Sequence, residues 1–249
     1  MAQKYLVILA GGQGLRMGSS TPKQLLDLGG KPVLRRTMER FLAVYPDIKI
    51  VTVLGKSSMD TWKEYCIKDN FSVSQRMVPG GITRFHSVKN ALAKIPDGAI
   101  VAIHDGVRPL LTEKMIRRMF TRMEEGGIQA LIPVIPSVDT LKHLSLDKDS
   151  PAEDPTFSVP TGNIDLRREL IWGAQTPQMF LSQCIRKAYD TPFDTSFTDD
   201  ASVAQKTGMP LTYCLGERLN IKITTPEDLL LARAIRTLQL QKEKEEMEG

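Results

Sequence analysis

Short apolar runs alternate with amphipathic stretches along most of this chain. The run YLVILA (5–10) is typical of a buried strand, whereas in 32–45 the side chains of Leu34, Met38 and Phe41 share one helical face. Strands are predicted at 5–10, 48–54, 72–78, 99–104, 130–135 and 211–215, and helices at 32–45, 58–69, 83–95, 112–125, 181–189 and from 225 onward. This alternation predicts an α/β fold, a mostly parallel sheet with helices on both faces.

The alternation breaks after Pro136. Residues 137–170 are rich in charge and turn formers, and LDKDSPAEDP (146–155) is typical of an exposed loop tip. This segment is either an irregular surface excursion or an arm that reaches a partner, and we call it the arm. The sequence has no internal repeat and no sign of a separate second domain. We therefore expect residues 1–249 to form a single domain, with the arm inserted at about 137–170.

Composition places the chain among ordinary soluble globular proteins, with 41% hydrophobic and 25% charged residues. A formal net charge of +4 suits anionic small molecules but not a nucleic-acid partner. The three cysteines lie far apart, which argues against a disulfide framework or a zinc site and favours the cytoplasm. The first apolar run is too short for a signal peptide or a membrane span, so no membrane association is expected.

The loop LAGGQGLRMGSSTPKQ (9–24) follows the first predicted strand, where open parallel sheets bind ligands. Its glycines fit neither G-x-G-x-x-G, which would need glycine in place of Met17, nor the P-loop pattern. Glycines let backbone N–H groups approach a phosphate, and Arg16 and Lys23 would add positive charge. The alternative is a tight turn followed by a surface arginine and lysine.

A second glycine turn, PGGITRFHS (79–87), leads from a strand into a helix. Backbone N–H groups at a helix start suit an anion, and Ser87 is placed to bond a base edge. An ordinary glycine turn explains the same residues equally well.

HDGVRP (104–109) places Asp105 at another strand end. Carboxylate oxygens suit Mg²⁺, which takes one or two carboxylates and completes its shell with substrate phosphates, and Arg108 would add positive charge. The alternative is that Asp105 caps a turn with His104 packed beneath it. Considered alone, Lys222, Arg167 and Arg168 are each more typical of a solvated surface than of a site.

In combination, these segments resemble one known family. AGGQGLRMG with PKQ, GGITRFHSV, HDGVRP, QTPQ, TDDAS and NIKIT with PEDL are similar to motifs of the cytidylyltransferases of the non-mevalonate isoprenoid pathway. The resemblance extends from about Tyr5 to Ala232. It implies a Rossmann-like, nucleotidyltransferase type A-like fold with a protruding dimerisation arm, Mg²⁺ as cofactor, and a homodimer that makes 4-diphosphocytidyl-2-C-methyl-D-erythritol from CTP and 2-C-methyl-D-erythritol 4-phosphate.

The resemblance also implies roles for individual residues. Arg16 and Lys23 would stabilise the triphosphate in the transition state, and Arg168 and Lys222 would position the substrate phosphate. The residues implied to hold the cytidine part are Ala10, Gly11, Gly12, Gly14, Gly81, Ile82 and Ser87. The residues implied to bind the second substrate are Asp105, which also contacts Mg²⁺, Arg108, Thr140 on the arm of the other subunit, Arg168 and Lys222.

The chemistry of this reaction is consistent with the residues present. A phosphate monoester, with a second pKa of about 6, is already largely ionised at neutral pH, so attack on the α-phosphorus needs no general base. It needs cations that assemble anions and stabilise the leaving pyrophosphate. The alternatives left open are a relative that acts on ribitol 5-phosphate, a nucleotidyltransferase that uses another nucleotide, and a silent nucleotide-binding protein.

Overall fold

The predicted strands and helices form close to their expected positions. The computed structural model describes residues 2–12, 21–147, 150–151, 153–162 and 166–248. Its strands are β1 (Lys4–Ala10), β2 (Lys49–Leu54), β3 (Gln75–Pro79), β4 (Ile100–Asp105), β5 (Ala130–Pro136), β6 (Ser145–Leu146), β7 (Phe157–Ser158), β8 (Trp172–Ala174), β9 (Gln178–Leu181) and β10 (Thr212–Leu215). Its helices are α1 (Val33–Val44), α2 (Lys56–Lys68), α3 (Arg84–Leu92), α4 (Glu113–Glu124), α5 (Ser182–Ala188), α6 (Asp200–Lys206) and α7 (Pro226–Glu248).

The central sheet has the strand order β10-β5-β9-β4-β1-β2-β3, and β8 pairs with β5 beside this path. Neighbouring strands run parallel except where β9 pairs with β4 and β5 and where β8 pairs with β5. The prediction of a mostly parallel α/β sheet is confirmed. The sequence did not predict β8, β9 or α6, which are short and carry no clear periodicity.

Side chains of each central strand point alternately to two cores, one on each face of the sheet. Leu6 and Ile8 of β1 pack with α1, α2 and α4, whereas Val7 packs with α3, α5 and α6. All three side chains are fully buried. Helices on both faces, as predicted, therefore cover the sheet.

Helix α7 covers a third buried cluster beside the sheet, in which Ile223, Ala232 and Ile235 contact Val33 and Val107. The helix starts with reciprocal capping, because Thr225 N donates to Asp228 Oδ2 at 2.9 Å and Asp228 N donates to Thr225 Oγ1 at 3.4 Å. This capping fixes the end of the segment 220–225, which runs past the carboxyl end of β4.

The arm leaves the main sheet after β5 and returns at β8. Within it, β6 and β7 form a separate two-stranded antiparallel sheet that pairs Ser145 with Ser158 and Leu146 with Phe157. These residues are exposed. In the described part of the chain, no helix combines the length and the apolar character needed to cross a membrane.

Candidate active site

The carboxyl ends of β1 and β4 lie side by side, with Leu9 paired to Asp105. From β1 the chain crosses to β2 on one side, and β4 lies on the other side, so the direction of winding reverses here. In open α/β sheets, ligands bind in the crevice at such a reversal. A cleft of about 700 Å³ opens at this point. Its described lining is Leu9, Ala10, Gly11, Gly12, Lys23, Gln24, Val53, Gly81, Ile82, Thr83, Arg84, Ser87, Asp105, Val107, Lys222 and Thr224.

The glycine loops after β1 and β3 meet on one side of this cleft. The backbone of 10–12 follows β1, and Gly81 and Ile82 precede α3. Gly81 N donates to Ser87 Oγ at 3.0 Å, and this hydroxyl donates to Thr83 O at 3.0 Å. A Cβ at position 81 would lie 2.3 Å from His86 Cβ, so this position has room only for glycine. The loop therefore brings main-chain groups to the cleft, as the sequence predicts.

Lys23 reaches the cleft from a short 3₁₀ helix, Lys23–Leu25, whose anchor is the neighbouring Gln24. The buried Gln24 side chain donates from Nε2 to Ala10 O at 2.7 Å. This bond ties the segment that carries Lys23 to the end of β1. Gln24 was not predicted from the sequence as a site residue.

Asp105 is nearly buried between two cations. Lys222 Nζ and Arg108 Nε each lie 3.1 Å from Asp105 Oδ2. Burial favours the neutral acid, but Lys222 and Arg108 outweigh it and hold the pKa of Asp105 well below its usual value. Asp105 is therefore a carboxylate throughout the physiological pH range, and it fixes Lys222 at the cleft.

Beneath Asp105, a buried network supports the end of β4. Asp105 N donates to Thr176 Oγ1 at 3.1 Å, and Thr176 Oγ1 lies 3.0 Å from His104 Nδ1. His104 Nε2 lies 3.1 Å from Arg108 O, and Asn220 Nδ2 donates to Thr176 O at 2.8 Å. Burial lowers the pKa of His104 to about 4, so the ring is neutral. The packing of His104 beneath Asp105, raised in the sequence analysis, is therefore present together with the placement of Asp105 in the cleft.

Asn220 Oδ1 in this network is buried and has no hydrogen-bond partner among the residues that the structure describes. Arg108 is held beside it, because Arg108 Nη1 donates to Asn220 O at 2.7 Å. Arg108 contacts Asp105 but is not among the residues that line the described part of the cleft. Thr176 and Asn220 were not singled out from the sequence, although both lie within the motifs QTPQ and NIKIT.

The remaining predicted site residues are not brought into the cleft by the described structure. Thr140 and Arg168 lie exposed on the arm, where Arg168 Nη1 donates to Val138 O at 3.4 Å, and neither lines the described part of the cleft. Gly14 and Arg16 lie outside the described residues. The structure thus joins Lys23, Asp105 and Lys222 with the two glycine loops.

Arg84, which was not predicted from the sequence as a site residue, is a further cation of the cleft wall. Its guanidinium pairs with Asp200 of α6, and this pairing raises the pKa of Arg84 above its ordinary value although burial opposes the charge. Two motifs of the sequence contain the pair, since Arg84 lies in GGITRFHS and Asp200 lies in TDDAS.

The residues present suit a hard cation that takes most of its ligands from phosphates. Among the described residues, no group of three or more His, Cys, Asp or Glu side chains is arranged to hold a metal ion by itself. Asp105 is the one carboxylate in the described lining of the cleft. Mg²⁺ commonly binds in this way, through one or two carboxylates and substrate oxygens.

Residues 5–238 match the family model described as IspD, 2-C-methyl-D-erythritol 4-phosphate cytidylyltransferase. The enzyme of that name from Bacteroides thetaiotaomicron is 42% identical over 233 residues, which cover 94% of this chain and 99% of the relative. The 2-C-methyl-D-erythritol 4-phosphate cytidylyltransferase of Porphyromonas gingivalis is 43% identical over 236 residues, which cover 94% of this chain and 98% of the relative.

Solved structures agree with this assignment. The 4-diphosphocytidyl-2C-methyl-D-erythritol synthase of Anaerococcus prevotii superposes with a TM-score of 0.73 at 26% identity, covering 95% of this chain and 96% of that one. The 2-C-methyl-D-erythritol 4-phosphate cytidylyltransferase of Francisella tularensis gives a TM-score of 0.71 at 27% identity, covering 94% and 100%. A sheet, a cleft and two glycine loops of this kind, together with matches over nearly the full length, place the chain in the 2-C-methyl-D-erythritol 4-phosphate cytidylyltransferase family.

Proposed function

We propose that this chain transfers the cytidylyl group of CTP to 2-C-methyl-D-erythritol 4-phosphate in the non-mevalonate isoprenoid pathway. A phosphate oxygen of the sugar phosphate forms a bond to the α-phosphorus, and the bond from that phosphorus to pyrophosphate breaks. The products are 4-diphosphocytidyl-2-C-methyl-D-erythritol and pyrophosphate. The observation that carries the proposal is the cleft at the β1–β4 ends, where glycine loops face the Lys222–Asp105 pair.

The cleft is suited to a reaction that requires charge stabilisation and no proton transfer. The attacking phosphate, with a second pKa of about 6, arrives ionised. The described lining contains three cations, on Lys23, Arg84 and Lys222, and one carboxylate, on Asp105, and Arg84 is paired with the buried Asp200 behind the cleft wall. Such a surplus of positive charge brings two anionic substrates together and stabilises the departing pyrophosphate.

The two sides of the cleft have different tasks in this proposal. The backbone of 10–12 with Gly81, Ile82 and Ser87 holds the cytidine part, and Lys23, with Arg16, stabilises the triphosphate. Lys222 on the opposite side positions the substrate phosphate. Its ion pair with Asp105 at 3.1 Å and its location among the lining residues support this role.

Asp105 is the residue that would hold Mg²⁺, together with phosphate oxygens of the nucleotide. A metal ion held there would supply positive charge against the triphosphate and the leaving pyrophosphate. Because Lys222 and Arg108 both contact Oδ2 of Asp105, this carboxylate keeps its charge and its orientation in the cleft.

The arm supplies a dimer interface in this proposal, with Thr140 and Arg168 reaching the second substrate, Thr140 across the interface. The exposed apolar side chains Leu146, Phe157 and Val159, each more than half exposed, support a partner-covered arm. Gel filtration should give a dimer, and a fully active monomer would contradict the proposed arm. A cytoplasmic location stays a prediction.

Pyrophosphate release tests the proposal directly. The purified chain should release pyrophosphate with CTP and 2-C-methyl-D-erythritol 4-phosphate, and much more slowly with ATP, GTP, UTP or ribitol 5-phosphate. Lys23→Ala should lower kcat about a hundredfold, the usual cost of losing one charged donor to the transition state. Lys63→Ala, which removes a lysine paired with Asp60 on the outside of α2, is the matched control.

Three outcomes would replace the proposal. Faster release with ribitol 5-phosphate would establish the rival polyol, and faster release with another nucleotide would establish a different nucleotidyltransferase. CTP binding without release under any pairing would establish a silent nucleotide-binding protein. Normal turnover of Lys23→Ala would remove that residue from the mechanism.

A further inference from the structure

A bidentate ion pair joins two helices at the wall of the cleft. Arg84, the first residue of α3, donates from Nη1 and Nη2 to Oδ1 and Oδ2 of Asp200 at 2.8 and 2.5 Å. Asp200, the first residue of α6, is fully buried and accepts a further bond of 2.6 Å from the Tyr189 hydroxyl. Arg84 also lines the cleft, with its side chain 31% exposed. The pair therefore connects the cleft wall to a carboxylate that solvent does not reach.

Hydrophobic packing already holds α3 against the elements around α6. Phe85 and Val88 belong to the same buried core as Ala201 and Val203. A buried ion pair adds little net stability relative to apolar side chains of similar volume, because both charges lose their hydration. What a guanidinium–carboxylate fork does add is a fixed mutual orientation. The pair therefore sets how the first turn of α3 is rotated relative to α6.

The loop before α3 is hydrogen-bonded to the first turn of that helix. The hydrogen bonds from Gly81 N to Ser87 Oγ and from Ser87 Oγ to Thr83 O, both 3.0 Å, join the loop to the helix. Gly81 also lies directly against His86 in the first turn of the helix, where an added Cβ would clash. A change in the orientation of α3 would therefore displace Gly81 and Ile82, which line the cleft.

The opposite side of the cleft depends on other contacts. Asp105 is held by Lys222, by Arg108 and by the bond from its backbone N–H to Thr176 Oγ1. These bonds come from the loop after β4, from the segment before α7 and from the loop before β9, and none of the three is donated or accepted by α3 or α6. The charge of Arg84 also acts on Asp105 and helps to lower its pKa, and Arg84→Lys keeps that charge. Loosening the fork should therefore affect one substrate more than the other.

We propose that Arg84 and Asp200 are positioning residues for the nucleotide, acting through the loop 80–83 and leaving the site of the sugar phosphate in place. This inference rests on the proposed function, which assigns the cytidine part to that loop. The ion pair then affects the binding of one substrate more than the other, in addition to joining two helices.

Two substitutions weaken the fork in different ways. Arg84→Lys keeps the charge but cannot make the bidentate contact, and Asp200→Asn keeps the shape but removes the charge. Tyr189→Phe removes only the hydroxyl that donates to Asp200 and leaves the ion pair intact. Arg186→Lys is the matched control, since Arg186 of α5 pairs with Asp97 at 2.8 Å on the exposed surface of the same face.

The dissociation constant of CTP, measured by calorimetry, and the KM of each substrate are the readouts, with the unfolding midpoint as a folding check. Arg84→Lys and Asp200→Asn should raise the Kd and KM of CTP roughly tenfold, the usual effect of one lost charge-assisted bond, and leave the KM of the sugar phosphate within about twofold. Tyr189→Phe should shift CTP in the same direction by less. Arg186→Lys should leave all constants unchanged.

An equal rise in both KM values, or a lower unfolding midpoint with an unchanged Kd for CTP, would overturn the inference. If Asp200→Asn does not fold, Arg84→Lys and Tyr189→Phe decide by the same criteria. Failure of the proposed function is separate, because it would appear as absent pyrophosphate release in the unsubstituted chain.

Discussion

His104 should make the folding free energy depend on pH below neutrality. The ring is fully buried, and because the carbonyl of Arg108 can only accept, Nε2 carries the proton of the neutral ring. Nδ1 then accepts from the hydroxyl of Thr176. Protonation of Nδ1 would remove this acceptor and place a charge in the core under Asp105.

The sign and size follow from linkage. Burial lowers the pKa of His104 from an ordinary 6.5 to about 4, so between these pH values the unfolded chain binds a proton that the folded chain does not. Stability should therefore be constant above pH 6.5 and fall as the pH drops toward 4. The whole interval corresponds to roughly 3 kcal/mol, and about 2.5 kcal/mol is lost by about pH 4.5, a large share of a typical stability of about 5–15 kcal/mol.

Urea unfolding at about pH 7 and at about pH 4.5 measures this loss. In His104→Gln the dependence should nearly vanish between these two conditions, although the variant itself is less stable. His143→Gln, at an exposed position on the arm, is the matched control and should keep the dependence of the unsubstituted chain. A stability that does not change with pH in the unsubstituted chain, or a dependence that survives in His104→Gln, would refute the reasoning.

Three further substitutions probe the site and its support. Lys222→Met, which removes one of the two cations 3.1 Å from Asp105, should raise the KM of the sugar phosphate about tenfold or more and that of CTP less, in initial-rate assays. Arg168→Ala should raise the same KM selectively; if Arg167→Ala does so instead, the assignment is off by one residue. Gly106→Ala should lower the free energy of unfolding by about 1–3 kcal/mol in urea titrations, because a Cβ would lie 3.0–3.1 Å from buried side chains and a backbone carbonyl, and unchanged stability would contradict this packing.

The sheet could be predicted from sequence because its strands follow simple patterns. Apolar runs such as YLVILA and AIVAIH are bounded by glycine, and the helices between them have one apolar face. The strands β8 and β9 are three and four residues long, and their antiparallel pairing with β5 and β4 depends on tertiary contacts. Periodicity in so short a segment carries too little information to show this.

The site was predictable where a residue type indicates chemistry and not where it acts through another residue. Asp105 and the two glycine turns follow predicted strands, Lys23 lies later in the first of these loops, and the structure brings them together. Gln24, Thr176 and Asn220 act through buried hydrogen bonds to backbone atoms far away in sequence, such as the bond from Gln24 to Ala10 O. Single-sequence patterns do not report such distant partners.

The insertion of β9 between β4 and β5 has a consequence for synthesis of the chain. Residues 100–105 and 130–136 are made well before 178–181, which pair with both of them. Until β9 has left the ribosome, no strand joins β4 to β5. The apolar edges of β4 and β5 that will face β9 stay unpaired during this time. Open edges of this kind pair readily with other chains. A chain truncated before position 178 should therefore aggregate.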